Sequence, residues 1–337
     1  MSAFLAEYGM FLLKVMTIVI GIVVVIGAGA AAGRKAQKDH LEVKSLNQKF
    51  KESAWMLRKG ILKKDELKKA ARAEKKRAQA ARKETRPRSF VIDFRGDLKA
   101  SAAVSLREEV SAILDVAAAD DEVIVRLENH GGFVHEHGLA ASQLVRIRER
   151  DIPLIVCVDK VAASGGYLMA CVASKIVAAP FAILGSIGVL AQIPNFNRML
   201  DSHGVDFEEL SAGEYKRTVT MFGRNTEQDR AKLKEQLEDT HALFKDAIAR
   251  FRPDLDLGKV ATGEHWYGTR ALELGLADEL RTSDELLTGL AADRDLYQVS
   301  YKMKQPLQKR LMGNIEATLE RAESAGWKRR FESRLPR

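Results

Sequence analysis

The N-terminal part of the chain changes from apolar to strongly charged within a few residues. Residues 11–32 are almost wholly apolar, with Lys14 as the only charge, and about 20 such residues suffice to cross a bilayer as a helix. A cleaved signal peptide is the alternative, because residues 28–32 are all small. The residues before the run, however, carry Glu7 and no basic cluster. We therefore expect a retained transmembrane helix within residues 1–33.

Residues 34–88 form a basic segment with 20 Lys or Arg residues and 7 Asp or Glu residues. Its apolar positions recur at roughly helical spacing, which predicts one or two amphipathic helices and a mobile basic linker that ends at Pro87. Basic residues directly after an apolar span favour the cytoplasmic side of a membrane. Anionic lipid headgroups are the expected partner of this charge, and a solvated spacer is the alternative.

From residue 89 onward, short apolar runs alternate with amphipathic stretches, which is typical of an α/β fold with a mostly parallel sheet. The pattern predicts strands at residues 90–94, 122–127, 154–158, 175–179, 207–211 and 297–301, and helices at 106–118, 138–150, 167–173, 195–203, 226–251 and 283–292. This α/β domain is expected to span residues 89–302. Residues 303–337 are predicted to be a basic amphipathic tail, which also suits a membrane surface.

Composition narrows the possible chemistry. The whole chain carries a formal charge of +8, but the basic segment supplies more than that, so the remainder is net acidic and the charge is no sign of nucleic-acid binding. The only cysteines, Cys157 and Cys171, lie within apolar stretches. They are expected to be small buried hydrophobes rather than a disulfide or a zinc site.

Ser164 is the candidate nucleophile. It follows the apolar strand at 154–158 and the run Val161-Ala-Ala, and Gly165 and Gly166 open a short helix directly after it. A serine at such a turn lies beside free backbone N–H groups, which an oxyanion requires. The alternative is that Ala-Ser-Gly-Gly is simply a tight turn in which Ser164 caps the helix.

A serine nucleophile needs a base within hydrogen-bonding reach. His265, beside two aromatic residues, is one candidate, and Lys216 is the other, because an apolar pocket can keep a lysine amine neutral. The spacing of the residues does not decide between them. His130, His135 and His137 cluster in sequence, but their spacing does not suit a metal site.

Four blocks of sequence resemble, in the same order, the membrane-anchored signal peptide peptidase family of serine proteases, peptidase family S49. They are V-D-K-V-A-A-S-G-G-Y-L-M-A-C-V-A, A-P-F-A-I-L-G-S-I-G-V, A-G-E-Y-K-R-T and A-T-G-E-H-W-Y-G-T-R-A. The resemblance implies a ClpP/crotonase-like fold with repeated β-β-α units. It also implies that Ser164 is the nucleophile, Lys216 is the general base and Ser186 orients the lysine amine.

The oxyanion hole implied by the resemblance uses the N–H of Gly165 and that of a glycine in the pair Gly131-Gly132. Here the chain departs from the family, which usually has Ser-Pro-Gly-Gly where this chain has Asn129-His130-Gly131-Gly132. Both glycines remain, so the hole is expected to survive. The loss of the proline removes a rigid turn, and His130 becomes either a polar loop residue or a substrate contact.

The resemblance further implies a membrane-bound endopeptidase that cleaves extended apolar segments, such as remnants of signal peptides, without a metal or an organic cofactor. Oligomeric relatives imply a homo-oligomer whose active sites are shared or face an inner chamber. The basic flank favours a cytoplasmic protease, although many members face the other side. An inactive, membrane-tethered scaffold that binds peptides is the alternative. A crotonase-type acyl-CoA enzyme fits less well, because the resemblance assigns the role of base to no carboxylate in the matching blocks.

Overall fold

The computed structural model describes residues 2–32, 39–81 and 86–303, and the chain divides into two units. One unit holds residues up to His40 and residues from Lys302, and the other is Leu41–Tyr301. The helices are α1 Ser2–Ala32, α2 Leu46–Ile61, α3 Lys64–Ala81, α4 Ala103–Val116, α5 Val134–Arg148, α6 Gly165–Ala170, α7 Asn197–Ser202, α8 Glu227–Phe251, α9 Leu257–Val260, α10 Gly268–Glu273 and α11 Ser283–Leu290. The strands are β1 His40–Ser45, β2 Arg88–Gly96, β3 Glu122–Asn129, β4 Leu154–Val158, β5 Val161–Ala163, β6 Lys175–Ala178, β7 Ile183–Gly185, β8 His265–Tyr267, β9 Glu279–Leu280 and β10 Asp295–Lys302.

The first unit contains helix α1, which covers the whole apolar run of the N-terminus. The described side chains of this helix, at residues 7–22, are exposed. Over the stretches for which the structure gives side chains, no helix is both long and apolar enough to cross a membrane. The predicted basic tail, apart from Met303, lies outside the described residues.

The second unit is built on one mainly parallel sheet. Its strand order is β1-β10-β2-β3-β4-β6-β9, and a branch continues from β3 through β5 and β7 to β8. The strands from β10 to β9 pair in parallel, as do those of the branch, except that β8 runs antiparallel to β7. Parallel neighbours need crossover connections, which the helices between the strands supply. The structure therefore confirms a mixed α/β fold with a parallel sheet.

Side chains on the strands alternate between two apolar clusters on opposite faces of the sheet. In β2, Phe90, Ile92 and Phe94 pack in the larger cluster with helices α4, α5 and α6, whereas Val91 belongs to the smaller cluster with Leu46 of α2 and residues of α11. Strands β3, β4 and β6 alternate in the same way. A sheet buried on both faces explains why its strands are nearly continuous apolar runs.

The helices and strands agree with the sequence pattern in the centre of this unit, although the short strands β5, β7, β8 and β9 and the short helices α9 and α10 were not predicted. Two predicted segments differ in kind. Residues 40–45 form strand β1, which joins the edge of the sheet beside β10, where the pattern predicted helix. Residues 207–211, predicted as a strand, have no regular structure. Phe207 instead packs on Phe222, with ring centroids 5.6 Å apart, so this segment folds against its own neighbours and not onto the sheet.

Candidate active site

Three parallel strands end side by side and bring the predicted catalytic groups to one edge of the sheet. Asn129 of β3 is paired with Ala162 of β5, and Ala163 of β5 is paired with Gly185 of β7. Ser164 and Ser186 directly follow Ala163 and Gly185, and Gly131 lies two residues beyond Asn129. We call this edge, formed by the ends of β3, β5 and β7, the catalytic edge. Ligands of open α/β sheets collect at such carboxyl ends.

Ser164 has a strained backbone. Its φ of 52° and ψ of −120° lie where residues other than glycine are rare, and such a conformation costs about 1–3 kcal/mol unless its surroundings enforce it. The N–H of Ser164 donates to Gly185 O at 2.8 Å, and its carbonyl accepts the Leu168 N–H at 3.0 Å. Its side chain makes no capping bond to α6. Among the described residues the hydroxyl has no hydrogen-bond partner, and the turn that holds it is fixed at both ends.

The backbone donors around Ser164 are not equivalent. The Gly131 N–H donates to Asn129 Oδ1 at 2.8 Å. Within residues 86–303, the N–H groups of Gly132 and Gly165 have no acceptor. Gly131 has a φ of +87°, and a Cβ there would lie 2.7 Å from the Ser164 Cβ. Only glycine fits this approach, so the loop after β3 lies directly against the nucleophile turn.

Ser186 repeats the geometry of Ser164 on the neighbouring strand. It also has a φ of 52° and is half-buried, and its N–H donates to Glu264 O at 2.6 Å. Its hydroxyl has no partner in the described part of the chain. Strand β8 pairs His265 with Gly185, directly before Ser186. The alternative base, His265, is thus near the catalytic edge, but its side chain is exposed and makes no hydrogen bond to Ser164.

Lys216 lies in the segment between β7 and α8, residues 189–225, which we call the lysine arm. Its N–H bonds to Gly213 O at 3.1 Å in a turn, and its side chain is exposed. Neither its amine nor the Ser164 hydroxyl has a hydrogen-bond partner among the described residues. The single chain therefore does not join the two predicted members of the dyad.

The lysine arm is folded but covers little of its own apolar surface. Phe222 packs on Phe196 at 6.1 Å and on Phe207 at 5.6 Å, and the Asn195 side chain donates to Thr220 O and Gly223 O. Large apolar side chains are nevertheless exposed along its length: Leu190, Ile193, Met199, Val205, Leu210, Tyr215 and Met221. Exposed apolar surface of this extent is typical of an interaction surface.

The remaining candidates from the sequence are not arranged for other chemistry. Burial raises the pKa of the Cys157 and Cys171 thiols to about 12, so both stay protonated and neither is a nucleophile. His130 and His135 are exposed, whereas His137 is fully buried. Over the described residues, no group of three or more His, Cys, Asp or Glu side chains is placed to bind a metal.

Sequence reasoning missed two buried residues of the site. Asn129 was noted only as a departure from the family pattern, and His137 only as a metal candidate, yet their side chains meet beneath the catalytic edge, with His137 Nε2 3.2 Å from Asn129 Oδ1. The available signal was the position of Asn129, at the end of a strand and two residues before a glycine. An asparagine there readily accepts the N–H two residues on.

Comparison with known proteins points to one family. The model described as "Peptidase family S49" matches residues 146–297, and the model described as "Peptidase family S49 N-terminal" matches residues 3–144. The chain is 46% identical over 322 residues to "Probable protease SohB" of Haemophilus influenzae, covering 91% of each protein. It is 52% identical over 237 residues to the protein of that name from Buchnera aphidicola subsp. Acyrthosiphon pisum, covering 70% of each.

Among solved structures, the 1510-N membrane-bound stomatin-specific protease with a substrate peptide aligns with 69% of this chain and 99% of its own. The TM-score is 0.37 at 13% identity. So slight a likeness supports no inference.

Proposed function

The chain belongs to peptidase family S49 and is a serine-type peptidase, and we propose that Ser164 is its nucleophile and Lys216 its general base. Its substrates are extended apolar peptide segments, such as remnants of signal peptides or parts of membrane and exported proteins. The family resemblance also supports a ClpP/crotonase-like fold for the domain at residues 89–302.

One observation carries this proposal. The free hydroxyl of Ser164 stands on a strained turn, and the unoccupied N–H groups of Gly165 and Gly132 lie in the two segments that meet there. Strain of this kind persists where the surrounding structure enforces it, and it is concentrated at functional sites. Donors that are free before substrate arrives need no reorganisation when an oxyanion forms.

The reaction then follows ordinary serine-protease steps. Neutral Lys216 takes the proton of the Ser164 hydroxyl as its oxygen attacks the peptide carbonyl, and the Gly132 and Gly165 N–H groups hold the oxyanion. The tetrahedral intermediate collapses, Lys216 returns the proton to the leaving amine, and water hydrolyses the acyl-enzyme. Ser186 orients the Lys216 amine. No metal or organic cofactor takes part.

The proposal includes a homo-oligomer that brings Lys216 to Ser164. A lysine amine acts as a base only when unprotonated, which burial in an apolar site favours. In the single chain Lys216 is exposed on an arm with much uncovered apolar surface. A second copy that covers the lysine arm would bury both this surface and the amine, so the active site is shared between subunits.

We also propose that the chain is anchored in the inner membrane. The apolar run of residues 11–32 and the exposed apolar side chains of α1 support a single span, and the basic residues of segment 34–88 support contact with anionic lipid and a cytoplasmic protease domain. Deleting residues 1–33 should release the protein from membranes washed with carbonate. Retention of the truncated protein on washed membranes would contradict the anchor.

A fluorophosphonate probe tests the activity. Membranes that contain the wild type should label on a serine, and Ser164→Ala and Lys216→Ala should abolish labelling, whereas Lys234→Ala, at an exposed lysine of α8, should not. A membrane-impermeant probe should label inverted vesicles and not right-side-out ones. Labelling that survives Lys216→Ala and is lost in His265→Ala would make His265 the base.

An inactive peptide-binding scaffold is the second candidate, and one observation favours it. Among the described residues, Lys216 makes no hydrogen bond to Ser164. If the folded, oligomeric wild type fails to label, while an immobilised extended apolar peptide still retains it, the scaffold replaces the peptidase proposal.

A further inference from the structure

The loop after β3 lacks the residue that would make it rigid. The chain there reads Asn129-His130-Gly131-Gly132, without a proline. Proline would fix one backbone angle, whereas two successive glycines lose more conformational freedom on folding than any other pair. A loop that faces Ser164 in one conformation must therefore be held by other contacts.

The side chain of Asn129 supplies the first of these contacts. It is fully buried, and its Oδ1 accepts the Gly131 N–H at 2.8 Å. This bond also fixes the orientation of the amide, because only the oxygen can accept, and Nδ2 is left facing Met169 Sδ at 3.4 Å. A Cβ at Gly96, on the neighbouring strand, would lie 2.3 Å from Asn129 Cγ. The Asn129 side chain is thus packed between Gly96 of β2 and Met169 of α6.

His137 of α5 supplies the second contact. Its ring is fully buried, with Nε2 3.2 Å from Asn129 Oδ1 and Nδ1 3.1 Å from Phe133 O. Both oxygens can only accept, so the ring donates to Asn129 whenever Nε2 carries a proton. Asn129 Oδ1 then receives two hydrogen bonds, one from the loop and one from helix α5. Helix α5 thereby holds the Asn129 side chain, which in turn holds the loop after β3.

The same two residues also lie close to the backbone turn that carries Ser164. A Cβ at Gly165 would lie 2.5 Å from His137 Cγ, and a Cβ at Gly166 would lie 2.2 Å from Asn129 O. The start of α6 can approach this closely only because both positions are glycine. Asn129 and His137 are therefore in contact with both backbone segments that face Ser164.

We propose that Asn129 and His137 are positioning residues of the peptidase reaction, which hold the Gly131-Gly132 loop and the Gly165 turn in the geometry that an oxyanion requires. This inference rests on the proposed function of Ser164. The pair touches no reacting atom and acts through the backbone N–H groups of its neighbours.

Kinetics of fluorophosphonate labelling separate positioning from mere stability. Asn129→Leu keeps the shape of the side chain without its acceptor, His137→Phe keeps the ring without its nitrogens, and Asn129→Asp restores the acceptor. The matched control is Asn47→Leu, because Asn47 Oδ1 likewise accepts a backbone N–H, that of Leu296 at 2.7 Å, far from the site in sequence and beside β10. Each full-length protein is compared for its limiting rate of labelling, half-saturating probe concentration and labelled fraction.

Asn129→Leu should lower the limiting rate about tenfold to a hundredfold, as partial loss of oxyanion stabilisation does, with less than about a threefold change in half-saturating concentration. His137→Phe should lower the limiting rate less than Asn129→Leu does. Asn129→Asp should have most of the wild-type limiting rate. Asn47→Leu should reduce only thermal stability. A rate unchanged in Asn129→Leu would overturn the proposal. A faster rate would also overturn it, since Asn129 would then compete with the oxyanion for the Gly131 N–H.

Amide hydrogen exchange tests the same inference without activity. In peptic fragments that cover residues 130–134 and 164–168, exchange should accelerate at least about tenfold in Asn129→Leu and His137→Phe and stay unchanged in Asn47→Leu. Unchanged exchange in both site variants would refute the positioning role. If the wild type does not label at all, the peptidase proposal fails, and this exchange pattern still decides whether the Asn129–His137 pair holds the two segments.

Discussion

The catalytic edge and the lysine arm each carry one half of the proposed dyad, and they are built in opposite ways. At the catalytic edge, Ser164 is held by backbone bonds from two directions and closely approached by Gly131, and buried side chains lie beneath it. On the lysine arm, Lys216 and most of the large apolar side chains are exposed. If the proposed dyad is right, the chain alone organises its nucleophile and the oxyanion donors. The base needs surroundings that the chain alone does not supply.

The largest expected effect comes from separating the two halves onto different chains. Ser164→Ala and Lys216→Ala should each be inactive, with losses of at least about a hundredfold, the usual contribution of a general base. If subunits share sites, co-assembly of the two variants from equal amounts should recover about one quarter of the wild-type sites, those with both intact residues. Peptide cleavage and probe labelling measure this recovery.

Failure to recover activity in mixed oligomers, with exchange of subunits demonstrated by differently tagged chains, would mean that the lysine arm folds back onto its own Ser164. The lysine arm would then reach the catalytic edge by a change of conformation within one chain, and not through contact with a second subunit.

A smaller effect is expected from filling the gap between the loop and the nucleophile. Gly131→Ala places a methyl group 2.7 Å from the Ser164 Cβ at a φ of +87°, so we expect about a hundredfold loss of labelling rate and a loss of about 1–3 kcal/mol in the free energy of unfolding. The control is Gly289→Ala in α11, where a Cβ meets nothing within 4 Å. Wild-type rates in Gly131→Ala would show that the catalytic edge is more pliable than its contacts indicate.

The smallest effect on activity should come from an ion pair that lies outside both regions. Helix α8 follows the lysine arm, and Arg252 at its C-terminus donates to both carboxylate oxygens of Asp278, which also accepts the Ile176 N–H at 2.7 Å. Burial opposes ionisation of Asp278, but the hydrogen bonds from Arg252 and Ile176 outweigh it, so the pKa of this carboxyl lies below its ordinary value.

Asp278→Asn should therefore cost about 2 kcal/mol of stability at neutral pH, because it leaves a half-buried arginine without its charge partner. A carboxyl with a lowered folded-state pKa stabilises the fold above its unfolded pKa of about 3.9, and this contribution is lost as the pH falls through the folded-state pKa. Thermal melts of the wild type and Asp278→Asn should thus converge as the pH falls below about 4. Glu227→Gln, in an exposed pair with Arg230 on the same helix, should change stability by less than about 0.5 kcal/mol.

The order of helices and strands in the centre of the second unit could be predicted from the sequence because each signal is local. The run at 154–158 is strand β4 to the residue, and the amphipathic stretch at 226–251, which stops before Pro253, is α8. The prediction fails where the partner of a segment decides its structure. Residues 40–45 become a strand because β10 offers an edge, and residues 207–211 stay irregular because no strand lies beside them.

The candidate site divides in the same manner. The Ser164 turn was predictable because a strand, a serine and two glycines follow one another directly in the chain. The contact between Asn129 and His137, the bond that occupies the Gly131 N–H and the exposure of Lys216 were not predictable. None of these three features produces a repeating pattern in the sequence.

By itself, the sequence determined that this protein alternates strands and helices, carries an apolar N-terminal run and a basic segment, and contains a serine on a glycine turn, because hydrophobic period and turn chemistry act over a few residues. Only the tertiary structure decided which backbone donors near Ser164 have no acceptor among the described residues, which buried side chains lie beside them and which half of the proposed dyad is exposed. Those outcomes depend on the register of β3, β5 and β7 and on the close approach of α5 and α6. Register and approach are set by packing between residues far apart in the chain.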